Sequence, residues 1–262
     1  MLYSDELPED LIYSQIPGCG CEGPCVDPRE CACLVRSQGR NYSQAERLLL
    51  QLQSPQELLQ RPVYECNSAC SCRLDTCVNR LVQNHLEDTS ALCVFDAGEK
   101  GRGIRASRNV SQGEFVCVYS GLYLGPGRAR ALSASQLATC GHVYVLVVRE
   151  YAGVDSRLVF ETTVDGACDL EDKQAPLPLA CLINHSCDPN LTVIPVRVDS
   201  MLPYLAFFAL RGIRADEELA YDYGEKSCEK GDPSNISRLT CEQIQMTIHK
   251  GILLLRNKER VY

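Results

Sequence analysis

Asn184-His185-Ser186-Cys187-Asp188-Pro189-Asn190 is the stretch on which the reading of this chain turns. Four chemically active side chains follow one another and a proline closes the run, which predicts a polar, tightly turned loop. Farther on comes Glu218-Leu219-Ala220-Tyr221-Asp222-Tyr223-Gly224, in which the two tyrosines lie two residues apart. In an extended strand such a pair points to the same side. Upstream, Lys100-Gly101-Arg102-Gly103-Ile104-Arg105-Ala106 sets two glycines around an arginine, a pattern that many turns share. Taken singly, Tyr144 reads as a strand aromatic and His185 as a structural histidine; only the combination points to a site.

Around these motifs run short β-like segments punctuated by glycine, at residues 92–96, 102–106, 114–119, 142–148, 157–164, 192–198 and 204–210. Short helices are predicted at 128–139 and around 178–184. Leu239, Ile244, Ile248, Ile252 and Leu255 predict an amphipathic helix over 237–258. Many short strands with few helices predict a mainly β fold of small packed sheets rather than a parallel α/β sheet.

The amino-terminal part differs in texture. Seventeen of the 262 residues are cysteine, and nine fall close together: Cys19, Cys21, Cys25, Cys31 and Cys33, then Cys66, Cys70, Cys72 and Cys77. Nine is odd, so a disulfide framework leaves a thiol over. Thiolates spaced so closely reach one tetrahedral zinc without straining the backbone. Two four-cysteine sites strand one residue. Three zincs need about twelve metal–sulfur bonds, which nine thiolates supply when six bind one metal and three bridge two. Two zinc sites or an oxidised knot are the alternatives; three structural zincs are the expectation. Leu48, Leu49, Leu52, Leu58 and Leu59 predict a short helical insert over 43–61, between the two cysteine groups.

Charge narrows the partners. Lys+Arg number 26 and Asp+Glu 34, a formal net of −8. Nine thiolates with three zincs take the formal total to about −11. Such a surface repels a phosphate backbone and attracts a Lys/Arg-rich peptide, so direct DNA binding is not expected. Apolar runs such as 205–210 are too short to span a bilayer, and Met1-Leu2-Tyr3-Ser4-Asp5-Glu6 lacks the pattern of a secretory signal.

Together, the cysteine cluster and the three motifs in this order resemble the SET-domain lysine methyltransferases with a pre-SET zinc module, from about Cys19 to Tyr223. The resemblance implies a lead-in (1–18), a pre-SET zinc-cluster module (19–80), a SET domain (81–225) and an atypical tail (226–262) in place of a post-SET segment. It implies small twisted sheets with a knot-like core, where the Asn184–Asn190 loop crosses the Tyr221–Tyr223 segment. S-adenosylmethionine is the implied methyl donor, lying along the backbone of Lys100, Gly101, Arg102 and Gly103. Tyr144 is implied near its methionine part, Asn184 and His185 at its adenine end. Cys19, Cys25 and Cys66 are implied as the bridging thiolates. The implied substrate is a histone tail, with histone H3 and the nucleosome as expected partners, hence a place on chromatin in the nucleus.

The residue types suit that chemistry. A lysine, with an ordinary pKa near 10.4, must lose its proton before its nitrogen attacks a sulfonium methyl in line. A narrow aromatic channel disfavours the ammonium and aligns the lone pair. Tyr223 is expected to orient the amine. The resemblance implies that Tyr221 holds the position, Phe or Tyr in that family, that sets how many methyl groups fit, and a tyrosine there is expected to favour mono- or dimethylation. Three places depart from the family pattern. Arg102 stands where tryptophan is usual, and Cys181-Leu182-Ile183 replaces Arg-Phe-hydrophobic. Cys228 and Cys241 lack the C-x-C-x4-C spacing that would join Cys187 around a fourth zinc. Cys187 is thus expected as a ligand with an incomplete set. The alternative function is a zinc-stabilised partner-binding module without the lid.

Overall fold

The computed structural model describes residues 1–52, 61–125, 127–152, 157–167 and 177–223. Runs rich in β-branched and aromatic residues are strands in it. In chain order the elements are β1 (Leu2–Tyr3), α1 (Glu9–Tyr13), α2 (Ala32–Arg36), β2 (Val63–Tyr64), β3 (Leu92–Asp96), β4 (Arg102–Ala106), β5 (Phe115–Val118) and β6 (Leu122–Leu124). They continue with α3 (Arg128–Cys140), β7 (Val145–Ala152), β8 (Arg157–Asp165), β9 (Asn184–His185), β10 (Leu191–Arg197), β11 (Tyr204–Ala209) and β12 (Ala220–Tyr221). One sheet has the order β1-β6-β8-β7, a second β5-β11-β10-β12-β9 with β2 beside β10, and β3 pairs with β4 alone. The chain is mainly β, in small sheets. No helix among the described residues is long and apolar enough to cross a membrane.

Leu205 to Ala209 are each 0% exposed, because β11 lies between β5 and β10. Alternation along the strand sends its side chains into two cores. Phe207 enters one, with its ring 4.8 Å from that of Tyr221. Phe208 enters the other, 5.7 Å from Phe115, among Tyr42, Leu49 and Val63 of the cysteine-rich part. Each buried phenylalanine contributes roughly 1.5–3 kcal/mol, so a single strand fastens the amino-terminal module to the rest. Glu65 adds a polar joint there: its buried carboxylate accepts hydrogen bonds from Tyr42 Oη, the Val82 and Gln83 amides and Gln83 Nε2.

β12 pairs in parallel with β9 on one side and with β10 on the other. Those flanking strands are the two ends of the 184–191 loop. The late segment of the chain therefore runs between the ends of an earlier loop, which is the knot-like core.

Three expectations need correction. In its described part the insert over 43–61 is not a helix: Tyr42 bridges Leu49, Ser43 Oγ accepts the Leu48 N–H at 2.9 Å, and only Leu50–Leu52 form a 3-10 turn. Its leucines plug the second core instead, Leu49 and Leu52 being fully buried; residues 53–60 lie outside the described residues. The helix around 178–184 is a 3-10 turn, Leu179–Leu182, because Asn184 and His185 are already extended in β9. The strand expected at 142–148 starts at Val145 and continues to Ala152, following its partner β8. The helix expected over 237–258 lies outside the described residues.

Candidate functional site

All nine amino-terminal cysteines gather in one cluster of free thiols. Sulfur separations are 3.8 Å for Cys19–Cys25, 3.9 Å for Cys19–Cys66 and 3.6 Å for Cys33–Cys70. Disulfide sulfurs bond at about 2.05 Å. The observed spacing matches instead the edge of a zinc tetrahedron, about 3.8 Å for Zn–S bonds of about 2.3 Å. Four overlapping sets of four sulfurs, each within 4.8 Å of one another, together use all nine; Cys19 and Cys66 each belong to three sets, and Cys25, Cys31 and Cys72 each to two. Burial pushes the thiols of Cys21 and Cys72 up to about 12 and about 11, while hydrogen bonding from neighbouring thiols, Cys25 first, holds Cys31 and Cys77 down. Holding such a cluster as thiolates requires cations. Arg80 Nη2 stands 3.4 Å from Cys72 Sγ, and Cys70 Sγ accepts the Cys19 and Asn67 amides at 3.2 and 3.1 Å. Sulfur donors, tetrahedral spacing and outer hydrogen bonds fit zinc.

The second site forms where β9, β12 and the turn before β4 meet. Gly101 has φ 75° and ψ −128°, a conformation open only to glycine. Gly103 leaves no space for a side chain, since a Cβ there would lie 2.9 Å from Asn184 Nδ2. Asn184 Nδ2 donates to Glu218 Oε1 at 3.0 Å, and Lys100 Nζ lies 3.7 Å from the same oxygen. Glu218 thus ties all three sequence motifs together. Arg102 is exposed on β4 opposite Asp96. The close fit of glycine backbone against a fixed asparagine amide suits an elongated polar cofactor.

His185 Nδ1 accepts the Tyr223 N–H at 3.2 Å, which leaves the proton on Nε2, 3.3 Å from Cys187 Sγ. Among the described residues Cys187 belongs to no metal-sized set of ligands; Cys228 and Cys241 lie outside them. The Tyr221 and Tyr223 rings are 4.6 Å apart, and His185 lies 5.3 Å from Tyr223. Tyr223 Oη donates to the Ile183 carbonyl at 2.8 Å. Tyr223 is 39% exposed against 7% for Tyr221, so the pair runs from surface to core. Burial holds the Tyr221 and Tyr119 phenols well above their ordinary range. They stay protonated near neutral pH and so are not bases there.

Tyr144 stands just before β7, and its carbonyl accepts Tyr119 Oη at 2.7 Å and the Gly166 N–H at 2.9 Å. Tyr119, buried beside Phe207, therefore connects Tyr144 to the tyrosine pair. Sequence reading takes Tyr119 as the last residue of a strand, and no local signal marks it otherwise. Glu218 lies inside a recognised motif; the cue to its role is a carboxylate facing two donors across the fold. Cys181 packs against Gly166, where a Cβ would meet its sulfur at 2.2 Å.

A Pre-SET motif model matches residues 2–80 and a SET domain model matches residues 101–224. The histone-lysine N-methyltransferase SETMAR of Mus musculus is 36% identical over 235 residues, covering 88% of this chain and 70% of that protein. SETMAR of Homo sapiens is 38% identical over 217 residues, covering 82% of this chain but 29% of that longer protein. Su(var)3-9 of Drosophila melanogaster is 34% identical over 228 residues, covering 85% of this chain and 33% of its own. Among solved structures, the methyltransferase domain of human SETMAR superposes with a TM-score of 0.65 at 34% identity, covering 86% of this chain and 76% of that one. The Neurospora histone lysine methyltransferase DIM-5 gives a TM-score of 0.67 at 28% identity, covering 88% and 89%. KRYPTONITE in complex with mCHH DNA, an H3(1-15) peptide and SAH gives 0.63 at 26% identity, covering 89% and 42%.

Proposed function

The chain belongs to the SET-domain histone-lysine N-methyltransferases with a pre-SET module, and from that premise we propose that it methylates a lysine of the histone H3 tail. The observation that carries this reading is the parallel pairing of β9 with β12, which sets Asn184 and His185 beside Tyr221 and Tyr223. S-adenosylmethionine, when bound, supplies an electrophilic methyl group. Its proposed cradle is the backbone of Lys100, Gly101, Arg102 and Gly103 with Asn184, His185 and Tyr144. Tyr223 orients the substrate amine. Tyr221, held by Phe207, limits the space around it, so mono- and dimethylation are favoured over trimethylation. The net charge of −8 suits a basic tail, and the KRYPTONITE complex with an H3 peptide and SAH supports the choice of substrate and cofactor.

In this reading the module at 19–80 holds three structural zincs, bridged by Cys19, Cys25 and Cys66. The catalytic domain is 81–225, preceded by the lead-in and followed by the tail. Cys187 stands apart from the zinc cluster, and the working place of the protein is chromatin in the nucleus. Labelled S-adenosylmethionine incubated with core histones tests the proposal. Wild type labels H3, and Tyr223→Phe, which loses the orienting hydroxyl, labels it roughly a hundredfold less. Binding of an H3 peptide with no label transfer would sink the enzymatic reading and leave a binding module.

A further inference from the structure

Helix α3 docks in an unusual way. It has 13 residues, and of its described side chains only Gln136 is buried, at 8% exposure, while Leu137 beside it is 59% exposed. Surface helices ordinarily dock through an apolar stripe; this one docks through a carboxamide. Gln136 Nε2 donates to Asp165 Oδ1 at 2.8 Å, and Gln136 Oε1 accepts the Tyr144 N–H at 2.8 Å. The two partners fix the orientation of the amide, since the carboxylate only accepts and the backbone amide only donates.

Asp165 is itself buried at the end of β8, and its Oδ1 also accepts the Ala167 N–H at 2.9 Å. The peptide groups on either side of Tyr144 are therefore clamped at two points. Its N–H is held from α3, and its carbonyl is held by Tyr119 and Gly166 from the side of the tyrosine pair. We infer that Gln136 is a positioning residue for Tyr144, coupling helix α3 to the cofactor side of the active centre. The inference rests on the reading of Tyr144 as a cofactor contact.

Calorimetric titration of S-adenosylhomocysteine into the full chain tests it, with Tyr144→Ala, Gln136→Ala, Gln136→Glu and the Gln136→Glu, Asp165→Asn double variant. Gln136→Ala removes the acceptor of the half-buried Tyr144 N–H, and cofactor affinity falls about tenfold. The KM for an H3 peptide and the zinc content stay as in wild type. Gln136→Glu sets two carboxylates face to face and weakens binding similarly. Adding Asp165→Asn removes one of the two facing charges while its amide oxygen still accepts the Ala167 N–H, and affinity recovers part of its loss. If Tyr144→Ala weakens binding while both Gln136 variants bind as wild type does, the coupling is wrong and the reading of Tyr144 stands. If Tyr144→Ala itself changes nothing, that reading falls and the inference falls with it. A double variant no better than Gln136→Glu alone also overturns the coupling.

Discussion

Replacing Gly103 with alanine asks whether Asn184 truly serves the cofactor turn. The added Cβ would stand 2.9 Å from Asn184 Nδ2, 2.8 Å from Phe95 Cε1 and 3.2 Å from the Ala97 Cβ. Ordinary contact begins at 3.4 Å, so Asn184 must retreat by about 0.5 Å, the usual response to overpacking. Its bond to Glu218 Oε1 is 3.0 Å long, and a retreat along the line of that bond would carry it to the limit of hydrogen bonding. Bonds to charged groups contribute about 1.5–3 kcal/mol; the Glu218 side chain is 34% exposed, so about 1 kcal/mol is a fair figure here. That converts to roughly five- to tenfold weaker cofactor binding. Gly101→Ala is the contrast. No atom lies within 4 Å of a Cβ there, yet the backbone conformation costs an alanine about 1–3 kcal/mol of stability. Calorimetry with S-adenosylhomocysteine and thermal denaturation, run on both variants, separate the two effects. A Gly103→Ala protein that binds the cofactor as wild type does would refute the placement of Asn184.

A strong chelator is expected to release three zinc ions per chain and abolish native circular dichroism in the module, because structural zinc contributes about 10–16 kcal/mol per site against about 5–15 for a whole domain. Release becomes easier as pH falls, since protons compete for the thiolates; four ions released would mean that residues beyond 223 complete a site at Cys187. Glu65→Ala removes the acceptor of four hydrogen bonds at 2.7 to 3.1 Å; a loss of about 3–5 kcal/mol should appear as a lower urea midpoint, with Glu65→Gln losing less. Arg197→Met breaks a two-point ion pair with Glu150 at 2.7 and 2.9 Å, where the arginine side chain is 4% exposed. About 3 kcal/mol is expected, seen as faster hydrogen exchange in β7 and β8; unchanged exchange would show the pair to be idle.

The metal centre is legible in sequence because ligand spacing is itself the physical constraint: within each group neighbouring cysteines are two to six residues apart, close enough to reach a common metal. The β3–β4 hairpin is equally local, and its bounds coincide with the runs at 92–96 and 102–106. Long-range polar contacts leave no such trace. Glu65 meets Tyr42 and Val82 from 23 and 17 residues away, and Gln136 meets Asp165 from 29. A polar residue buried by a distant partner looks in sequence like any surface residue. Leu49 and Leu52 mislead for a related reason: apolar spacing records that side chains are buried, not whether their own helix or a neighbouring core buries them.

Mass spectrometry of an H3 tail peptide incubated with the wild-type chain and S-adenosylmethionine tests the central claim most directly. One or two methyl groups on a single lysine are predicted, with a third added only by Tyr221→Phe. A peptide returned unmodified, or methylated on a residue other than lysine, would contradict the account.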